Sequence, residues 1–144
     1  MAYNDAGDVI LKDMCPVFGL PGILGPIPLT NNATEFQTLI DIPWKECKLV
    51  SARFDVTTTV DTVGAMNIDL ELNAASGTAM MNVSVTAGSA VAAQLYGTVT
   101  SAAACNKLDR DNTARDKINI EVDGSTTGTG AGMLWLMFEP ISNP

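Results

Sequence analysis

The sequence predicts an all-β protein, an antiparallel β-sandwich of the jelly-roll or Greek-key type. Side chains alternate between apolar and polar along most segments, and the composition is rich in Thr, Ser, Val and Ala with only 17% charged residues. No helical apolar period is long enough to cross over a parallel sheet. About seven or eight short strands are expected, which close most simply as two sheets packed face to face. The 144 residues suffice for one such domain.

Residues 1–33 are predicted to form an extended N-terminal arm, and residues 34–144 the sandwich domain. Four prolines and three glycines at 15–30 exclude a regular helix or a central strand there. The arm also carries large apolar side chains, each of which forgoes about 1.5–3 kcal/mol if left in water. Two alternatives remain for the surface on which these side chains pack: the arm's own domain, or a neighbouring subunit or partner. These side chains are Val17, Phe18, Leu20, Ile23, Leu24, Ile27 and Leu29.

The clearest strand signal lies in residues 49–60 and 66–72. In the first segment, apolar or small side chains occupy every second position from Val50 to Val60. In the second, Met, Ile and Leu alternate with Asn, Asp and Glu. Each pattern is typical of a strand with one face on a core and the other in water. Because the residues between them include Gly64, we expect an antiparallel hairpin.

Shorter strands are expected around this hairpin. Residues 35–42 alternate and end at Pro43, and alternation returns at 81–85 and 118–122. Residues 102–115 are expected to form a loop or a short helical turn. These segments supply the remaining surface that must cover the apolar side of the hairpin.

Residues 95–100 are expected to form one strand with Leu95, Gly97 and Val99 facing inward. The alternative is a helical turn that Ser89 caps and that continues to Leu95. The two interpretations differ in whether this segment joins a sheet.

The last apolar segment, residues 133–138, follows a flexible Gly- and Thr-rich loop at 124–130. It is apolar on both parities, as in a strand covered on both faces. Either this strand is central and sandwiched, or its second face is buried against another copy of the chain. That second face consists of Met133, Trp135 and Met137.

Charge and the lack of histidine restrict the function. Sixteen acidic and eight basic residues give a net charge of −8, which disfavours binding to nucleic acid. Without histidine, the Ser-His and Cys-His catalytic dyads are missing. Asp69 and Glu71 share one strand face at a spacing open to glycosidase chemistry, but alternation on a solvent face explains them equally well. We therefore expect no enzymatic activity.

No cofactor, metal ion or membrane association is expected. Residues 109–112 resemble the opening of a calcium loop but lack its glycine and distal glutamate at the required offsets. The cysteines, Cys15, Cys47 and Cys105, are widely spaced, which favours free thiols in a reducing compartment. The N-terminal residues show neither a signal peptide nor a spanning segment.

Three aromatic residues, Trp44, Tyr96 and Trp135, could bind a ligand if they share one face of the sandwich. There they would form a platform on which a sugar ring stacks, although such residues more often anchor a core or an interface. A carbohydrate-binding head-fibre or receptor-binding module is therefore the alternative function.

The style of the whole chain points to one family. It combines the acidic start Met-Ala-Tyr-Asn-Asp-Ala-Gly-Asp, the Gly/Pro apolar arm at 16–28, the predicted hairpin at 55–72, an Ala/Thr-rich middle and the close Gly-Ala-Gly-Met-Leu-Trp-Leu-Met-Phe-Glu-Pro. With these features the chain resembles tailed-phage capsid decoration, or cement, proteins.

The resemblance implies a small β-sandwich, often trimeric, that sits on the outer capsid lattice and clamps neighbouring major capsid subunits. Such a protein is made in the host cytoplasm and ends on the exterior of the virion. A clamp needs apolar surface and no chemistry. The residues expected to contact a subunit or the capsid are Val17, Phe18, Leu20, Ile23, Leu24, Ile27, Leu29, Met133, Trp135 and Met137.

Overall fold

The computed structural model describes residues 22–31, 36–42, 46–61, 65–74, 77–110, 116–124 and 128–141. Within these ranges the chain forms two antiparallel β-sheets and a short helix. The elements are β1 (Gly22–Thr30), β2 (Phe36–Asp41), β3 (Glu46–Thr58), β4 (Met66–Leu72), β5 (Thr78–Val85), β6 (Gln94–Tyr96), β7 (Thr98–Val99), α1 (Ala102–Asn106), β8 (Leu108–Asp109), β9 (Lys117–Asp123) and β10 (Ala131–Pro140).

The strand order identifies a jelly roll. Sheet A has the order β1-β10-β3-β6, with β8 also paired to β3, and sheet B has the order β2-β9-β4-β5-β7. The antiparallel pairings nest inside one another: β4 pairs with β5, β3 with β6 and β8, β2 with β9, and β1 with β10. Nested pairing of this kind arises when one long antiparallel hairpin rolls up into two sheets, which is the jelly-roll topology. The predicted fold class is therefore confirmed.

The core lies between the two sheets and is built from the alternating side chains that the sequence pattern identified. Their placement follows from the two-residue period of a strand, which sends every second side chain to the same face. The four central strands supply Ala52, Phe54, Val56, Met66, Ile68, Leu70, Ile118, Ile120, Val122, Leu134, Leu136 and Phe138, all buried.

The predicted hairpin between residues 49–60 and 66–72 is wrong, although both segments are strands. β3 belongs to sheet A and β4 to sheet B. The chain leaves sheet A at Val60, whose N–H donates to the Ser89 carbonyl at 2.9 Å and whose carbonyl accepts from the Gly88 N–H at 3.0 Å. Alternation shows which side of a strand is buried, but strands of both sheets bury the same kind of side chain, so it does not identify the pairing partner.

The register between β3 and β10 shifts at two points, and one of them changes the parity within β3 at Val50. Ser51 is opposite Met137 whereas Leu49 is opposite Phe138, so Val50 is an extra residue in a β-bulge. Val50 is 41% exposed although the alternation placed it on the core side with Ala52.

The single strand predicted at 95–100 is wrong, because two short strands form there in different sheets. β6 pairs with β3 and β7 pairs with β5, and the chain crosses between the sheets at Gly97. The Gly97 N–H donates to the Ala52 carbonyl at 2.9 Å. A Cβ at Gly97 would lie 2.7 Å from Met81 Sδ, so only glycine fits without a shift. As a result Tyr96 and Val99 face outward, at 59% and 49% exposed.

The helical turn proposed near Ser89 is also not formed, since the Ser89 hydroxyl donates to the Thr86 carbonyl at 2.7 Å in a turn. The helix is α1, where Ser101 Oγ accepts from the Ala104 N–H at 3.3 Å as the N-cap. Cys105 in this helix and Cys47 in β3 are both buried. None of the helical structure in the described ranges is long and apolar enough to cross a membrane.

Residues 22–30 of the predicted arm form β1, an edge strand of sheet A. In the described part of the chain β1 pairs with β10 only. Its prolines, Pro26 and Pro28, fit this position because proline cannot complete the ladder of a central strand. Leu29 is 2% exposed and belongs to the core. The rest of the predicted arm that precedes β1, residues 1–21, lies outside the described residues.

Candidate functional site

The outer face of sheet A carries the candidate site. β10 lies between β1 and β3, so its outward side chains run along the middle of this face. On the other side of β10, Gly132, Leu134, Leu136 and Phe138 are buried in the core. β10 is central in its sheet but is not covered on both faces, so it matches only the first half of the interpretation as a central, sandwiched strand. Its outer side is only half-buried, at Met133, Trp135 and Met137.

A shallow groove of about 240 Å³ crosses this face. The strand register builds it, because Trp135 is opposite Arg53, Arg53 is opposite Tyr96, and Ile23 is opposite Met137. The groove therefore extends over β1, β10, β3 and β6. It is lined by Ile23, Arg53, Tyr96, Trp135 and Met137.

Gly25 makes room for the indole at the centre of this groove. Its φ is +145°, a conformation that other residues rarely adopt. A Cβ at this position would lie 2.9 Å from Trp135 Cε3 and 2.8 Å from the Leu134 carbonyl oxygen. The glycine in the edge strand thus allows the Trp135 ring to lie against the backbone of β1.

The two charged residues at the groove neutralise each other, and a second ion pair, Lys48 with Glu139, joins β3 and β10 farther along. Arg53 Nη2 donates to Asp55 Oδ2 at 3.0 Å. Arg53 Nε lies 2.9 Å from Asp55 Oδ1 as an ion-pair contact that is not aligned as a hydrogen bond. The guanidinium carbon is 6.0 Å from the centroid of the Trp135 ring, at the outer limit of a cation–π contact. The face consequently presents little net charge to a partner.

The Trp135 indole N–H is the unusual polar group of the site. Trp135 Nε1 is buried and has no hydrogen-bond acceptor among the described residues. A buried donor left in this state costs about 1–3 kcal/mol relative to a satisfied one. An incoming group that places an oxygen next to Nε1 would recover that free energy.

The arm residues of the predicted site lie in different environments. Ile23 is 62% exposed and joins Met137 and Trp135 in the groove. Leu24 and Ile27 are partly buried against the core, and Leu29 lies inside it. Val17, Phe18 and Leu20 lie outside the described residues.

Sequence reasoning missed Arg53 and Asp55, which were assigned to the solvent side of β3, and considered Tyr96 only as part of a sugar platform. The overlooked feature is that the outward polar side chains of β3 lie beside β10, the strand whose side chains are apolar on both faces. A charged pair on the outward parity of such a strand belongs to the same surface as the apolar residues beside it.

The outer face of sheet B has a different character, with carboxylates held by amides. Asp69 Oδ1 accepts from Asn82 Nδ2 at 2.6 Å, and Glu71 Oε2 accepts from Asn119 Nδ2 at 3.3 Å. Asp69 is also directly opposite Glu121 on β9. Both carboxylates singled out for glycosidase chemistry thus have partners within the sheet.

The predicted calcium-loop segment at 109–112 lies partly outside the described residues. Its described end is tied to Asp116, the residue before β9, because Asp116 Oδ2 accepts from the Asp109 N–H at 2.8 Å and Asp116 Oδ1 accepts from Asn73 Nδ2 at 3.1 Å. In the ranges that the structure describes, no group of three or more acidic or cysteine side chains is arranged to hold a metal ion.

Neither a protein-family model nor a curated protein matches the chain. One match among solved structures is a chain from the structure of infectious bursal disease virus, Gx strain, with a TM-score of 0.29 and 12% sequence identity. The match covers 85% of this chain and 33% of that chain, so the chain spans about a third of the length of the protein it matches. A TM-score of 0.29 does not establish a shared fold, and the jelly-roll assignment is based on the strand order alone.

Proposed function

We propose that the protein is a structural virion protein, a capsid decoration or cement protein that binds the outer capsid surface and stabilises the shell. The observation that carries this proposal is the outer face of sheet A. There the exposed side chains of Ile23 and Tyr96 flank the half-buried row of Met133, Trp135 and Met137. Exposed apolar side chains that are grouped on one face in this way mark an interaction site.

The fold is compatible with the role but does not decide it. Jelly rolls occur in viral capsid proteins and in lectins, and one fold hosts many functions. The proposal therefore depends on the face and on the sequence resemblance to decoration proteins. It assigns no chemical reaction to the protein.

The proposed partner is the major capsid protein, and the proposed state of the free protein is a homotrimer. A net charge of −8 favours the solubility of the free protein before assembly. A protein that binds only the assembled shell stabilises it by mass action, to an extent set by its free concentration relative to Kd. The proposed location is the exterior of the virion, after synthesis in the host cytoplasm.

The direct test is binding to capsid shells that lack the protein, measured by co-sedimentation. The double variant Ile23→Ser, Tyr96→Ser removes the two most exposed apolar side chains of the face. Burying a large apolar side chain contributes about 1.5–3 kcal/mol, so loss of both raises Kd by about a hundredfold or more.

The matched control is Leu39→Ser, Val99→Ser, which removes side chains that are 53% and 49% exposed on two strands of sheet B. Its capsid occupancy should equal that of the unmodified chain. Equal loss of binding in both double variants would reject the outer face of sheet A as the attachment surface. The mass of the free protein in solution tests the trimer separately.

A second candidate function is carbohydrate binding, because Trp135 and Tyr96 line the same groove beside Arg53. Trp44, the third residue of the predicted platform, lies outside the described residues. Binding to a glycan array that is lost in Trp135→Ala would support this function. A decoration protein shows no dependence on sugar.

A further inference from the structure

The groove on the outer face of sheet A selects for an apolar ligand with a hydrogen-bond acceptor. Arg53 and Asp55 are paired with each other, and the other lining residues are apolar or aromatic. The buried Trp135 Nε1, which has no acceptor among the described residues, needs an oxygen. A peptide segment with apolar side chains supplies both features, because its backbone carbonyls can accept from the indole N–H.

The chain itself contains such a segment at 15–21, with the sequence Cys-Pro-Val-Phe-Gly-Leu-Pro. It has no charged side chain and carries a proline near each end. Aromatic-lined grooves bind extended proline-containing segments, and a tryptophan N–H in such a groove finds a carbonyl acceptor. The chemistry of segment 15–21 therefore matches the requirements of the groove.

The segment is also close enough to reach the groove. Residue 21 adjoins β1 at Gly22, and the next residue, Ile23, lines the groove. The far wall at Tyr96 is on β6, three strand spacings away, or about 14 Å. Seven extended residues span about 23–25 Å, so the segment can cross the face with length to spare for reversing direction.

We propose that residues 15–21 of this chain bind in the groove lined by Ile23, Tyr96 and Trp135, with one of their backbone carbonyls accepting from Trp135 Nε1. The short connection gives the segment an effective concentration in the millimolar range, which favours it over the same segment of another copy. The apolar side chains of the arm then become part of the surface that sheet A presents.

Cys15 provides a test in the full-length chain. In the variant Tyr96→Cys, oxidised glutathione should form a disulfide between position 96 and Cys15, because the segment brings their Cα atoms within about 7 Å. Cys47 and Cys105, at 0% and 3% exposed, do not compete. The matched control is Leu39→Cys, on the outer face of sheet B, where Leu39 is 53% exposed. We expect the disulfide to form at least about tenfold faster in Tyr96→Cys than in the control.

The mass of the product identifies the source of the segment. A disulfide within one chain supports the proposal, whereas a disulfide between two chains, or equal rates in the two variants, overturns it. Quenching of Trp135 by acrylamide, in a chain whose other tryptophan is removed by Trp44→Phe, provides a measurement without a new cysteine. Phe18→Ser should increase that quenching, and no change overturns the proposal. Capsid binding is measured independently, so failure here leaves the proposed function open to its own test.

Discussion

Gly97 is the residue at which the chain crosses from sheet A to sheet B, and Gly97→Ala tests how tightly that crossing is packed. The added Cβ would meet Met81 Sδ at 2.7 Å, Met81 Cγ at 2.9 Å and Ala52 Cβ at 3.2 Å. Overpacking of a core costs about 1–3 kcal/mol, while replacing glycine with alanine returns about 0.4–1 kcal/mol through the unfolded chain. The net loss expected in the free energy of unfolding is about 1–2 kcal/mol.

The contact atoms of Met81 allow a sharper form of this test. Met81→Ala removes both Sδ and Cγ and by itself costs about 2–5 kcal/mol, since Met81 is 1% exposed. In that background Gly97→Ala should cost close to nothing, so the two effects should fall short of additivity by about 1–2 kcal/mol. Urea denaturation of the four chains, followed by circular dichroism, measures this coupling. Additivity within about 0.5 kcal/mol would refute the packing argument at the crossing.

Three further changes probe other parts of the molecule. Asp116→Ala removes the acceptor of two hydrogen bonds and should lower the free energy of unfolding by about 1–3 kcal/mol in urea, whereas Asp123→Ala at an exposed position should change it by less than about 0.5 kcal/mol. Burial raises the pKa of the Cys105 thiol above its ordinary value of 9.0. The unfolded chain therefore loses this proton first, stability should fall as pH rises through 9.0, and Cys105→Ala should reduce that fall in urea titrations. Arg53→Ala should cost at most about 1 kcal/mol, because the two side chains of its ion pair are 36% and 26% exposed, and the loss should shrink at high salt.

The sequence was sufficient to identify several of the strands and most of their buried sides, but not how the strands pair. The segments that became β4 and β9 keep a strict alternation, and the core side was predicted correctly for each. The hairpin between β3 and β4 failed because pairing depends on where the connection goes. In this fold the connection at Val60 is fixed by backbone bonds to Gly88 and Ser89, which are distant in sequence.

Only part of the candidate site was predicted, because the rest of it depends on how the strands pair. Met133, Trp135 and Met137 stand out because a strand that is apolar on both sides has to contact something on each. The contribution of Tyr96 depends on the crossing at Gly97, and that of Arg53 depends on the register between β3 and β10. Neither follows from local periodicity, since both are consequences of contacts between strands far apart in the chain.

The different charges on the two outer faces of the sandwich predict that the protein attaches to the capsid through only one of them. Carboxylates such as Asp69 and Glu71 dominate the outer face of sheet B, and burying them against a partner without compensating charges would be costly. The outer face of sheet A can lose its water at lower cost because its charged residues are paired, Arg53 with Asp55 and Lys48 with Glu139. Asp69→Asn combined with Glu71→Gln should therefore leave capsid occupancy unchanged in co-sedimentation, whereas Trp135→Ser should lower it. If the Asp69 and Glu71 variant lost capsid occupancy and Trp135→Ser kept it, the contact surface would be the outer face of sheet B. If the Asp69 and Glu71 variant lost an enzymatic turnover, a catalytic role for that face would be favoured instead.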